Sequence, residues 1–337
     1  MSERLPAEFL SEETQPSPER HSGLVRIINV SPEQAQAGRD AFANLLRHQS
    51  FESFEREKTP VEREIIARIL TSMPEFVSLY GGRPVTGLAE TNFHIIDANL
   101  LPGDQQEAVL GEDVAGLYDM SRQRLMILPD SRSPLTTAQR MVHETLHLES
   151  FLSFTAEDGT SLGQAGKVLL HPRRIGISAF NQKHTKRFFR GIDEAVIEEL
   201  TARFDEQYFA LIPALEAEVR RRERVRNTTG ALDRNQIASV VDTEHCGGPW
   251  ETSIHTWRYG AERKMLAGLM AQLHDANADQ FASREAVFAL FAKAVFTGKL
   301  LDLARLIEKT LGKGTMRALA AQTMLANAED GVSPAGS

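Results

Sequence analysis

The sequence predicts an α+β fold, mostly helical, in which a small antiparallel sheet precedes a helix bearing two histidines one turn apart. Three observations carry this. Residues 92 to 128 hold three β-prone runs, NFHIIDANLL, DVAGLYDM and QRLMIL, the last two joined by a short polar turn at Ser121 and Arg122. The segment AQRMVHETLHLESFLSF has apolar residues at 141, 142, 146, 148, 151 and 152, the spacing of a helix with a buried face. From about 250 to 325, TWRYGAERKMLAGLMAQL, SREAVFALFAKAVF and LLDLARLIEKTL repeat apolar residues three and four apart.

The remaining elements follow in order. Residues 1–22, rich in Ser, Glu and Pro, carry too little apolar surface to offset the entropy of ordering and form an expected tail. GLVRIINV is a strand by pattern. SPEQAQAGRDAFANLL is a helix with Ser31 as cap, Pro32 at its first position and Gln34 completing a capping box. Thr59 and Pro60 repeat that start before a helix with Val61, Ile65, Ile69 and Leu70 on one face, ending ahead of Gly81 and Gly82. Between 159 and 190 the chain is basic, with Lys167, Arg173, Arg174, Lys183, Lys186, Arg187 and Arg190 and no acid. That stretch is expected to be a solvated loop, or else a lid biasing a cleft towards acidic substrates. A helix then starts near Gly191 and carries DEAVIEELTARF. Pro213 restarts it, and Glu216 before Arg220 and Glu218 before Arg222 predict exposed ion pairs. The expected division is a 1–22 tail, an N-terminal helical region at 23–85, a core at 86–228, a linker at 229–249 around NTTGALD, a C-terminal helical region at 250–328 and a 329–337 tail.

Composition limits the function classes. The 337 residues carry 38 Lys+Arg against 46 Asp+Glu, a net charge of -8, which gives no support to nucleic-acid or anionic-membrane binding. No run approaches the roughly 18 apolar residues of a membrane span, and the N-terminal stretch has acids where a secretory signal would be basic. The single cysteine, Cys246, excludes an intrachain disulfide framework and fits a reducing compartment. Cytoplasm is the expected location.

The chemistry concentrates at His143, Glu144, Thr145, Leu146 and His147, an HExxH motif on a helix. Residues four apart share a face, so both imidazoles can address one ion, while Glu144, offset by about 100°, can reach a water beside it. Two histidines on a buried helix would be costly without a metal or partners. Catalytic zinc takes three protein ligands and keeps one open position. The class with a further histidine six residues on, after a glycine, is excluded by Ser150 and Ser153. The better third ligand is Glu194 in DEAVIE, where Glu194 and Glu198 share one face of a helix that also holds Ala195, Val196, Ile197 and Leu200. Glu198 would accept the Nδ1 proton of a ligand histidine. His184 and His171 stand as reserve ligands, and Cys246 as a thiol that could approach the ion.

HETLH followed by DEAVIEE resembles the gluzincin group of zinc metallopeptidases, thermolysin-like in arrangement. The resemblance covers these two helices and the sheet before them, and implies a zincin-like fold. It implies Zn²⁺ on His143, His147 and Glu194, Glu144 as catalytic base and Glu198 as the carboxylate behind a ligand. Asp193 stands where that group often has Asn, and the chain between His147 and Glu194 is longer than in compact thermolysin-like enzymes. The expected function is zinc-dependent hydrolysis of a peptide bond in a peptide or protein. The alternatives are a non-catalytic zinc-binding regulatory protein and a zinc hydrolase of a non-peptide amide. Tyr259, ahead of His255 and Tyr118, is the expected donor to a developing oxyanion. The strand DVAGLYDM offers either an open edge to an extended peptide or ordinary sheet.

Overall fold

Helix starts in this chain are written locally. Helix α1 (Pro32–Arg47) and helix α2 (Pro60–Leu79) both begin on proline, whose fixed φ and missing N–H suit a first turn. Thr59 Oγ1 accepts from the Glu62 amide at 3.2 Å, and the Glu62 carboxylate accepts from the Thr59 amide at 2.7 Å, closing a capping box. Helix α3 (Pro134–Glu149) also begins on proline and is capped by Ser133, whose Oγ accepts from the Thr136 amide at 3.0 Å. The computed structural model describes residues 25–28, 31–48, 52–101, 116–120, 122–158, 168–181, 186–228, 236–243 and 251–321. Both expected tails, His184 and Cys246 lie outside these residues.

Helices α4 (Arg190–Tyr208), α5 (Glu216–Thr228), α6 (Gly260–Ala276), α7 (Arg284–Thr297) and α8 (Leu300–Leu311) follow. With three small sheets they make the α+β fold that the patterns predict. The apolar faces meet in one cluster that includes Ile65, Ile69 and Phe76 of α2, Met141, Val142 and Leu146 of α3, Val196, Ile197 and Phe204 of α4, and Phe288 and Phe291 of α7. Each such side chain, fully buried, contributes about 1.5–3 kcal/mol. Helices α3 and α4 therefore lie with apolar faces locked, and their polar turns are fixed relative to each other. Among the described residues no helix is long and apolar enough to cross a membrane.

The first sheet is mixed rather than antiparallel throughout. Strand β2 (Phe93–Ile95) runs parallel to β4 (Arg124–Ile127), which pairs antiparallel with β3 (Gly116–Asp119). Order β2-β4-β3 puts the second strand of the hairpin in the centre, where Leu125 and Ile127 are fully buried. Strand β3, with Leu117 exposed, is left at the edge.

Two further sheets correct the sequence reading. Strand β1 (Val25–Ile28) pairs parallel with β5 (Leu152–Asp158), and β6 (Val168–Ile175), β7 (Ser178–Phe180) and β8 (Arg187–Phe188) extend that sheet antiparallel. Of the basic 159–190 stretch, the described residues 168–181 and 186–190 are thus largely strand. The Arg174 guanidinium there lies 5.2 Å from the Phe151 ring centroid and donates to the carbonyls of Gly298 and Gly176, each at 3.0 Å. Within the expected linker, β9 (Ile237–Thr243) forms and pairs antiparallel with β10 (Glu251–Thr256), its Ile237, Val240 and Val241 buried. TWRY accordingly precedes α6 instead of beginning it.

Arg222 also departs from expectation. Glu216 pairs with Arg220 on the surface as the spacing predicts. Arg222 is buried, and its guanidinium makes two bonds to the Asp205 carboxylate at 2.5 and 2.7 Å. Glu218 instead accepts from Ser133 Oγ at 2.6 Å and from the Leu135 amide, reinforcing the start of α3.

Candidate metal centre

One helical turn separates His143 from His147 on α3, and their ring centroids lie 4.9 Å apart. One turn also separates Glu194 from Glu198 on α4, and this pair faces the histidines. His147 Nε2 is 3.2 Å and His143 Nε2 is 3.5 Å from the same oxygen, Oε2 of Glu194. The donor atoms of His143, His147 and Glu194 all lie within 4.8 Å of one another, a group that could hold a metal ion. A tetrahedral ion with bonds of about 2.0–2.1 Å sets its donors about 3.3 Å apart, so the two Glu194 separations fit such an ion. Two imidazoles and a carboxylate are also a donor set that suits zinc. His171, on β6, is not part of this group.

The other oxygen of Glu194 is held differently. Arg187 Nη1 lies 3.8 Å and Arg190 Nε 3.7 Å from Oε1. The carboxylate is thereby divided, with Oε2 towards the histidines and Oε1 towards two guanidinium groups. Arg187 is itself anchored by Asp193, at 3.1 Å. Asp193 is buried and also accepts from the Ile177 amide at 2.8 Å and Ser178 Oγ at 3.1 Å. A Cβ on Gly176, whose φ is +54°, would lie 2.4 Å from Asp193 Oδ1, so the turn before β7 needs glycine there. Asp193 therefore joins the first turn of α4 to β7 and β8.

Glu198 holds His143 from behind. Its Oε2 accepts from His143 Nδ1 at 2.8 Å, which turns Nε2 towards Glu194. Its Oε1 accepts from the Arg258 amide at 2.8 Å, tying the segment before α6 to the same centre. The next residue, Tyr259, takes a left-handed φ of 51° at the start of α6, and its ring stacks on His143 at 6.1 Å and 15°. Burial and the charge of Glu194 push its phenol above the usual range, so it stays a hydrogen-bond donor.

Glu144 points to the other side of the centre, against the edge strand. It is buried and its carboxylate accepts from the Tyr118 amide of β3. A Cβ on Gly116 would meet Glu144 Cγ at 2.9 Å and the Met126 carbonyl at 3.2 Å, so glycine makes room for this side chain. Burial raises the Glu144 carboxyl above its ordinary value, against the pull of both histidines. Burial also works against charge on His143, but Glu194, Glu198 and Glu144 raise it to about 10. Burial likewise disfavours charge on Glu194, yet the two histidines hold it well below the carboxylate range. The centre is a field built for positive charge.

These residues line a cleft of about 390 Å³ with Gly116, Leu117 and Tyr118 on one side and Ile175, Arg187, Arg190, Arg258 and Tyr259 around the rest. The side chains of His143, His147 and Glu194 are 12, 11 and 6% exposed, which puts them at its floor with one face open. Tyr118 contributes its backbone amide, while its hydroxyl is enclosed away from solvent and so is no oxyanion donor. His255, on β10, is not among the lining residues. Gly116, Arg187 and Arg258 were not legible as site residues, since only tertiary packing brings them here. Arg190 stands four before Glu194, a spacing that does signal a pair. Comparison with known protein families, with curated proteins and with solved structures finds no match, so these residues and their geometry alone carry a functional reading.

Proposed function

We propose that the protein is a zinc-dependent peptidase, with zinc on His143, His147 and Glu194 and with Glu144 as general base. The position of Glu144 carries this reading. It lines the same cleft as both histidines, is fixed by the Tyr118 amide, and has a carboxyl raised by burial above its ordinary value. A purely structural metal site has no use for such a group.

Bound zinc supplies Lewis acidity, lowering the pKa of a water towards about 7 and polarising a carbonyl. Glu144 takes the proton of the attacking water and delivers it to the leaving amine. The Tyr259 hydroxyl donates to the developing oxyanion, in the orientation set by its stacking on His143. Glu198 keeps the His143 tautomer and ring direction constant through the cycle. An extended peptide adds to β3, an edge strand bordering the cleft, through backbone pairing.

The test is cleavage of a proteome-derived peptide library by the zinc-loaded protein and by Glu144→Gln. Cleavage by the first and a loss of at least about a hundredfold in the second is the expected result. Equal cleavage by both, or none by either, contradicts the reading.

A further inference from the structure

We infer that the cleft takes a substrate bearing a carboxylate close to the hydrolysed bond, bound by Arg190 and Arg258; this rests on the peptidase reading. The observation is a local reversal of charge. The chain carries a net charge of -8, yet three arginines, Arg187, Arg190 and Arg258, line a cleft whose acids are Glu144 and Glu194. Arg187 is committed to Asp193 at 3.1 Å and so braces the site. Arg190 is different: its side chain is 45% exposed and its acidic neighbour, Glu194 Oε1, is 3.7 Å away. Arg258 is exposed, is fixed through its amide by Glu198, and sets its guanidinium 5.9 Å from the Tyr259 ring centroid.

Loading the centre with a divalent cation sharpens this. Glu194 would then share its charge between the ion on Oε2 and the guanidinium groups near Oε1, leaving excess positive charge beside Arg190 that an anionic group would relieve. Guanidinium groups match carboxylates through paired N–H bonds, which makes a carboxylate the favoured anion on a peptide. Leu117, exposed on β3, and Ile175 give the same cleft an apolar margin. The ligand is therefore a peptide with a carboxylate and an apolar neighbour. The carboxylate belongs either to an Asp or Glu side chain or to the chain end.

Binding by a form that does not turn over separates this inference from the peptidase reading. The full chain carrying Glu144→Gln, loaded with zinc, is immobilised and exposed to a random peptide library made as free acids and again as C-terminal amides. Peptides retained are sequenced by mass spectrometry. Asp or Glu enrichment in both libraries assigns the contact to a side chain, and retention confined to the free-acid library assigns it to the chain end. Adding Arg190→Gln and Arg258→Gln, with zinc content verified, is expected to reduce retention of acidic peptides roughly tenfold or more. Added salt on the parent protein is expected to elute the acidic peptides first, a readout that needs no folded arginine variant. Retained peptides without acid enrichment in either library, no retention at all, or enrichment unchanged by both substitutions overturns the inference. Acidic enrichment by this form together with no cleavage by the wild type would leave the carboxylate site standing and remove the peptidase reading.

Discussion

His143 Nδ1 lies 2.8 Å from Oε2 of Glu198, and the other oxygen of the same carboxylate accepts from the Arg258 amide. One side chain on α4 thus fixes an imidazole on α3 and the backbone that presents Tyr259. Removing such a partner behind a metal-binding histidine costs about 10–100-fold in metal affinity. Glu198→Gln is expected to weaken zinc binding by that factor, measured by competition with a chromophoric chelator. Unchanged affinity would deny Glu198 its role.

Gly116 tests the placement of Glu144. A methyl group at that position would meet Glu144 Cγ at 2.9 Å and the Met126 carbonyl at 3.2 Å. Gly116→Ala is expected to displace the Glu144 side chain, lowering turnover by about a hundredfold while zinc stoichiometry stays at the wild-type value. Overpacking here also costs about 1–3 kcal/mol of stability, seen in thermal unfolding.

Arg222 and Asp205 form a buried ion pair that also draws in Gln139 and the Ala238 carbonyl, joining α3, α4, α5 and β9. Removal of one partner strands the other charge. Arg222→Ala is expected to destabilise the protein by about 3–5 kcal/mol in denaturant unfolding.

The buried Glu149 makes stability depend on pH. Glu149, at the end of α3, is buried, accepts from the Val85 amide at 2.8 Å, and is pushed by burial up to about 8. A carboxyl whose folded pKa lies above its unfolded value, about 4.3, adds stability below that value and loses it as pH rises through the folded pKa. Glu149→Gln keeps an acceptor for Val85 and removes this loss. It is expected to exceed the wild type in stability by a few kcal/mol at about pH 9, and to lose that advantage near pH 4. Parallel curves at both pH values would contradict it.

How much of this was legible followed from where the partners lie along the chain. His143, Glu144 and His147 could be read because the ligand spacing is the helix period. Glu194 and Glu198 could be read because two acids one turn apart on an apolar helix demand a partner. Strands β6 to β8 were hidden by Arg173, Arg174 and Arg187, whose charges resembled a solvated loop. For Arg174 and Arg187 the partners are the Gly298 carbonyl and Asp193, contacts that only the fold creates. Arg222 was misread for the same reason. Its local acid, Glu218, caps α3, and its true partner, Asp205, lies on the preceding helix. The run IASVVDT, rich in β-branched residues, marks β9, but the neighbouring NTTGALD led it to be counted as linker.

The most direct measurement is zinc per chain, by mass spectrometry after dialysis, in the wild type, His147→Ala and Glu194→Ala. Equimolar zinc in the wild type and its loss in both variants is the result that a centre of His143, His147 and Glu194 predicts. A wild type without zinc, or a Glu194→Ala protein that keeps its full complement, would contradict it.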